Sequence, residues 1–210
     1  IFQVGGCGCT GCNGCTTGFA KCAKIGLRHR SIISIGRQTT YDQFEGRIWK
    51  RRKMDAELET KLAEIIRSNR VAGLGTLRDG APLVSMIAYL PEEDFSAFYI
   101  HVSQLAQHTK SMLSDARVGL LISEDDDGHA DPQTLARISI LGTAEQVSTD
   151  GPGYSDIRSR FIAHFPHSAP LFGFGDFGLW RIVPKSARFV AGFAQAFNLT
   201  PDALKRVAKS

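Results

Sequence analysis

From Met54 to Asn69 apolar residues recur at helical spacing: Leu58, Leu62, Ile65 and Ile66 share one face while Glu57, Glu59, Lys61 and Arg67 face away. Asp55 stands at the N-cap of this predicted helix, where a carboxylate accepts from first-turn N–H groups. The period then changes from 3.6 to 2. Val71 to Leu77 reads as a short glycine-containing strand, Asp79-Gly80 as a hairpin turn and Leu83 to Leu90 as the returning strand. In Phe95 to Val102 alternation puts Phe98, Ile100 and Val102 on one face and Ala97, Tyr99 and His101 on the other, the pattern of a half-buried strand. Leu105, Thr109, Met112 and Leu113 return to helical spacing, so a helix is predicted over Gln104 to Ser114 with Ser103 as its N-cap.

Arg117 to Ile122 is an apolar strand, and the acidic stretch Glu124 to Asp131 after it is a loop. An EF-hand reading of that loop fails because Ser123 and Thr134 occupy the first and last ligand positions, where carboxylates are required. No metal site is assigned. Ala136 to Ser148 is a longer strand, Tyr154 to His164 a helix, Gly178 to Phe193 a strand pair around Pro184 to Ser186, and Pro201 to Lys209 a short helix capped by Thr200. Strands joined largely by tight turns, with helices inserted irregularly, exclude a regular parallel βαβ order. The expected class is mainly β with peripheral helices (α+β), an antiparallel barrel.

Composition narrows the function classes. The chain has 210 residues, 43% hydrophobic and 22% charged, enough for one domain with a sizeable core. No apolar run approaches the about 20 residues that span a bilayer, so a soluble protein without membrane contact is expected. The net charge is +4, but 25 Lys and Arg are interspersed with 21 Asp and Glu, which gives no basic face for nucleic acid. The one dense cluster, Lys50 to Lys53, reads as a solvated linker. All 5 cysteines lie between Cys7 and Cys22, so the folded part needs no disulfide, which fits a reducing, cytoplasmic compartment. Cys9, Cys12 and Cys15 have the first spacings of an iron–sulfur motif, but Cys22 breaks the pattern. Residues 1–53 are expected to be a disordered or artefactual segment, and residues 54–210 the folded domain.

Three segments in order carry a family resemblance: the hairpin Gly75 to Ser85, the strand and helix Phe98 to Leu121, and the strand Ala136 to Glu145. They resemble the pyridoxamine 5′-phosphate oxidase family of FMN-binding split barrels. The ending, Asp176 to Ile182 and Arg188 to Phe193 with Ala196 beyond, resembles its haem-utilisation branch. The resemblance implies a homodimer that holds a flat cofactor, FMN or alternatively haem, at the subunit interface beside a small-molecule substrate. It places the Val84, Ser85 and Met86 strand under the ring, the segment Ser103, His108, Thr109 and Lys110 at the phosphate, Arg137 as a polar residue near the cofactor, and Trp180 with Arg181 as the pair closing the site from the second subunit.

The physics of such a site stands apart from the resemblance. A phosphate needs positive charge and backbone donors, which the predicted helix start and its hydroxyl, imidazole and ammonium groups offer. An isoalloxazine ring needs a flat, largely apolar slot. Two departures bear on the cofactor. Tight FMN binders of the family carry an arginine on the second strand and an Arg-Lys pair opening the phosphate helix, where this chain has apolar residues and Gln107-His108. The haem ligand of the related branch is a histidine near the C-terminus, and no histidine follows His167 here. No acid or nucleophile stands out, so no catalytic residue is named. The expected function is a flavin-dependent oxidoreductase, with haem binding or breakdown, or a cofactor-free regulatory module, as alternatives.

Overall fold

The computed structural model describes residues 54–129, 131–192 and 195–210. The cysteine tract, the Lys50 to Lys53 cluster and the reading of residues 1–53 lie outside the described residues. Helix α1 (Ala56–Ser68) starts where the Asp55 side chain accepts from the Leu58 N–H at 2.9 Å, and buries Leu62, Ala63, Ile65 and Ile66, the predicted stripe. Strands β1 (Val71–Arg78) and β2 (Ala81–Ala88) pair from Val71 with Ala88 to Arg78 with Ala81. Between them Asp79 and Gly80 have φ of 52° and 79°, both in the left-handed region that a type I′ hairpin turn requires.

The short β3 (Leu90–Pro91) precedes β4 (Phe98–Ser103), α2 (Gln107–Ser114), β5 (Arg117–Ser123) and β6 (Arg137–Gln146). Helix α3 (Tyr154–His164) and a 3₁₀ segment (Pro166–Gly173) lead into β7 (Phe177–Gly192), β8 (Gln195–Leu199) and the final α4 (Pro201–Val207). The order is β2-β1-β5-β6-β7-β4-β3 in an 8-stranded sheet, with β8 on β7, and every pairing is antiparallel. Inward residues from both ends of that order meet in one core, among them Leu74, Ile87, Phe98, Ile100, Ile138, Ile182 and Phe189, joined by Leu62 and Ile66 of α1 and Leu204 of α4. The sheet therefore curls round its own apolar face, the antiparallel split barrel expected from the sequence. Among the described residues no helix is long and apolar enough to cross a membrane.

Three expectations need correction. Phe177 to Gly192 forms one continuous strand, not a pair. Pro184 is tolerated there because β7 changes neighbour around it: β4 pairs Phe177 to Ile182 and β8 pairs Ala187 to Gly192, so no ladder bond is asked of the missing N–H on that side. Opposite it, β6 shifts register between Leu141 and Gly142. Strand β4 is covered on both faces, because Leu90, Ala97, Tyr99, Phe161, Phe165 and Leu179 form a second cluster outside the barrel. Finally, α2 begins at Gln107 with Ala106 as an N-cap that makes no side-chain bond. The Ser103 hydroxyl instead closes the preceding turn, accepting from Leu105 N–H at 3.1 Å and donating to Asp176 Oδ2 at 2.8 Å.

Candidate functional site

Alternation along β2 sends Val84 and Met86 to the outer face of the sheet, 75% and 76% exposed, and turns Ser85 inward. Strand register extends that outer face into rows. Met86 lies opposite Gly73, which lies opposite Leu121, then Ser139, then Arg188; Val84 leads likewise to Gly75, Gly119, Leu141 and Ser186. At about 4.8 Å per strand, Met86 to Ser139 covers roughly 14 Å. Leu121 and Leu141 are 48% and 60% exposed. The result is an exposed, largely apolar surface whose middle, at Gly73, Gly75 and Gly119, carries no side chains.

Cationic groups stand at the edges of this face. Arg117 is held by Asp115 through Nη2 at 2.5 Å, and that bond keeps the Asp115 carboxyl down at about 2. Arg137 donates through Nη1 to the Gln133 and Leu135 carbonyls at 3.1 and 2.9 Å, neutral partners that leave its charge in place. Arg188 donates to Asn198 Oδ1 at 3.0 Å.

The helix expected to take a phosphate has a different character. Thr109 is fully buried and spends its hydroxyl on the Ser103 carbonyl at 2.7 Å. His108 is half-buried, its Nε2 has no partner among the described residues, and desolvation pushes its imidazole below the usual histidine range, so it is neutral at pH 7. Lys110 is exposed. Trp180 lies inward, 3% exposed, opposite Ile100 and Gln146. Arg181 points outward and bonds Glu145 at 2.5 Å. Within one chain, then, Val84, Met86 and Arg137 share the outer face; Ser103, His108, Thr109 and Lys110 belong to the turn and helix after β4; Trp180 and Arg181 sit on opposite sides of β7.

Sequence reading named Arg137 but overlooked the glycine rows, Leu121, Leu141, Arg117 and Arg188. The signal was there in part, since Gly73-Leu74-Gly75 alternates glycine with a core residue and Leu121 follows Leu120, but only strand register shows that these positions adjoin.

No family model matches the chain. Over 119 residues it is 37% identical to the heme oxygenase HOZ, chloroplastic, of Arabidopsis thaliana, a match that takes in 57% of this chain and 35% of that protein, so the chain spans about a third of this relative. It is 22% identical over 157 residues to the heme oxygenase HutZ of Vibrio cholerae, covering 74% of this chain and 88% of HutZ. Among solved structures, the heme binding protein from Mycobacterium smegmatis is 22% identical with a TM-score of 0.65, covering 73% of this chain and 62% of that one. A FAD-binding protein from Mesorhizobium loti is 19% identical with a TM-score of 0.50, covering 65% and 92%. Motifs, strand order and these relatives agree: the fold is the split barrel of the pyridoxamine 5′-phosphate oxidase-like proteins, and the sequence is similar to heme oxygenases of the haem-utilisation branch.

Proposed function

We propose that two copies of this chain meet on the outer face of β2, β1, β5 and β6 and hold haem in the seam, as a step in haem use or breakdown. The observation that carries this reading is the 37% identity to a heme oxygenase over 119 residues. The face supports it physically. An exposed apolar surface with glycines at its centre lets a planar macrocycle approach the backbone, and the guanidinium groups of Arg137 and Arg188 at its margin suit carboxylate side arms. Bound haem supplies the iron chemistry; the chain's own residues supply the apolar wall, the exclusion of water and the charge at the rim.

The residues fit FMN less well. A phosphate carries up to two negative charges, and the helix meant for it opens on Gln107, a neutral His108 and a Thr109 whose hydroxyl is already committed. Lys110 is the specific feature that keeps a flavin oxidoreductase as the second reading. The two are separated by titrating the purified full chain with haemin and, in parallel, with FMN. A saturable Soret shift with haemin, and FMN fluorescence left unquenched, is the expected result. Tight FMN binding without a Soret shift would overturn the haem reading.

A further inference from the structure

Glycine weakens the interior of a strand and often marks a place where a ligand or another backbone approaches closely. Gly73, Gly75 and Gly119 have no reason of their own within one chain. None of them has a positive φ, and a Cβ built at any of the three has its nearest atom 3.7 Å away, an ordinary contact. The single chain has room for alanine at each, so the recess they form is shaped for something outside it. Beside that recess, on the same face, Met86 and Val84 project from β2 into solvent. A projection next to a recess on one surface is self-complementary, because in a two-fold dimer each copy can set its projection against the recess of the other.

Donor chemistry singles out one of these side chains. Strands β2, β1, β5 and β6 contain no histidine, cysteine or tyrosine, and Met86 is their one methionine. The described histidines lie on other elements: His101 on β4, His108 on α2, His129 in the loop after β5, His164 on α3 and His167 in the 3₁₀ segment. A methionine thioether is an established kind of haem-iron ligand. We propose that Met86 of one copy supplies a thioether ligand to the iron of a haem lying on the glycine recess of the other; this rests on the haem reading above. Side chains stand roughly perpendicular to a sheet, so Met86 rises beside a ring on its own recess, one strand away, and points across the seam.

The test uses the full chain labelled at its methionine methyls, loaded with haemin, reduced and saturated with carbon monoxide, which makes the iron diamagnetic. The chain has 3 methionines, of which Met54 and Met112 are buried in the core. One methyl resonance should move far upfield under the ring current of the haem. In Met86→Leu, which keeps the seam apolar, that resonance should vanish and the Soret band should shift. Gly75→Val, or Gly73→Val should the first misfold, fills the recess and should lose haemin binding. Mixed dimers of a Met86→Leu chain with a recess-filled chain should then recover the upfield methyl that neither variant shows alone. Haem bound without an upfield methyl, or with a Soret band indifferent to Met86→Leu, overturns the ligand and leaves the haem reading standing. Mixed dimers without the signal overturn ligation across the seam, and a parent chain that binds no haemin overturns both readings.

Discussion

His101 shows how much one side chain's surroundings alter its chemistry. It leaves β4 on the outer side, stacks on Phe172 with ring centroids 3.7 Å apart and planes 5° from parallel, and lies 6.0 Å from Phe161 and 5.3 Å from Phe177. Its Nδ1 has no partner among the described residues, and burial lowers the imidazole to about 4 from 6.5. The folded state thus refuses a proton that the unfolded chain accepts, so stability is complete above about pH 6.5 and is lost as pH falls towards 4. Discounting the shift for the ring's partial exposure leaves a loss on the order of 2 kcal/mol. His101→Phe keeps the stack and removes the titration. Urea unfolding of both proteins between pH 7 and 4 should show a shallower decline in the variant, and parallel declines would refute this account. His108 and His164 are shifted in the same direction by burial, so only the difference between the two proteins isolates His101. The sequence placed His101 correctly on the face opposite Ile100; the aromatic residues that cover that face come from α3 and the 3₁₀ segment, distant in the chain.

Among the elements, β6 and β7 set the shape of the sheet. Gly142 is buried at the register shift, and a Cβ there would run into the Val183 carbonyl, a backbone atom that has no rotamer to escape by. Gly142→Ala should therefore destabilise the fold by about 1–3 kcal/mol, the cost typical of overpacking, read as a lower Tm in a thermal melt. An unchanged Tm would mean that the two strands separate there without cost. The same substitution at Gly178, where the nearest atoms are side-chain tips at 3.4 Å or more, meets no such obstacle. Helix boundaries were legible where a cap forms, as at Asp55 and Thr200, each accepting from a first-turn N–H. At α2 the cap residue was misread because Ser103 finds a better use in the turn against Asp176, a residue that β7 brings alongside β4.

For the whole molecule the decisive feature is the outer face of β2, β1, β5 and β6. Val84, Met86, Leu121 and Leu141 are all exposed and adjacent by register, a combination that marks an interaction surface. A charge placed there costs the single chain little, because the side chain already meets solvent, but it is intolerable in an apolar seam. On the proposed dimer, Met86→Lys should accordingly leave the circular dichroism spectrum and Tm near those of the parent while lowering the sedimenting mass to that of a single chain and abolishing haemin affinity. A variant that remains dimeric would place the seam elsewhere.

Hydrophobic period by itself determined most of the helices and strands of this protein, their order and the class of the fold, because whether a segment is helix or strand depends on which residues can share one apolar face, and that is a property of neighbours in the chain; it did not foresee the short β3, the separate β8 or the unbroken β7. It also fixed the hairpin at Asp79-Gly80, where few residues tolerate the backbone required. Which faces stay open was decided only by the tertiary structure. Alternation marks two sides of a strand but does not say that α3 will cover β4 on the outside, or that glycines from β1 and β5 will adjoin Met86 from β2. Those facts depend on register and curl, set by contacts between residues far apart in sequence, and it is they that brought some of the expected site residues together and kept others apart.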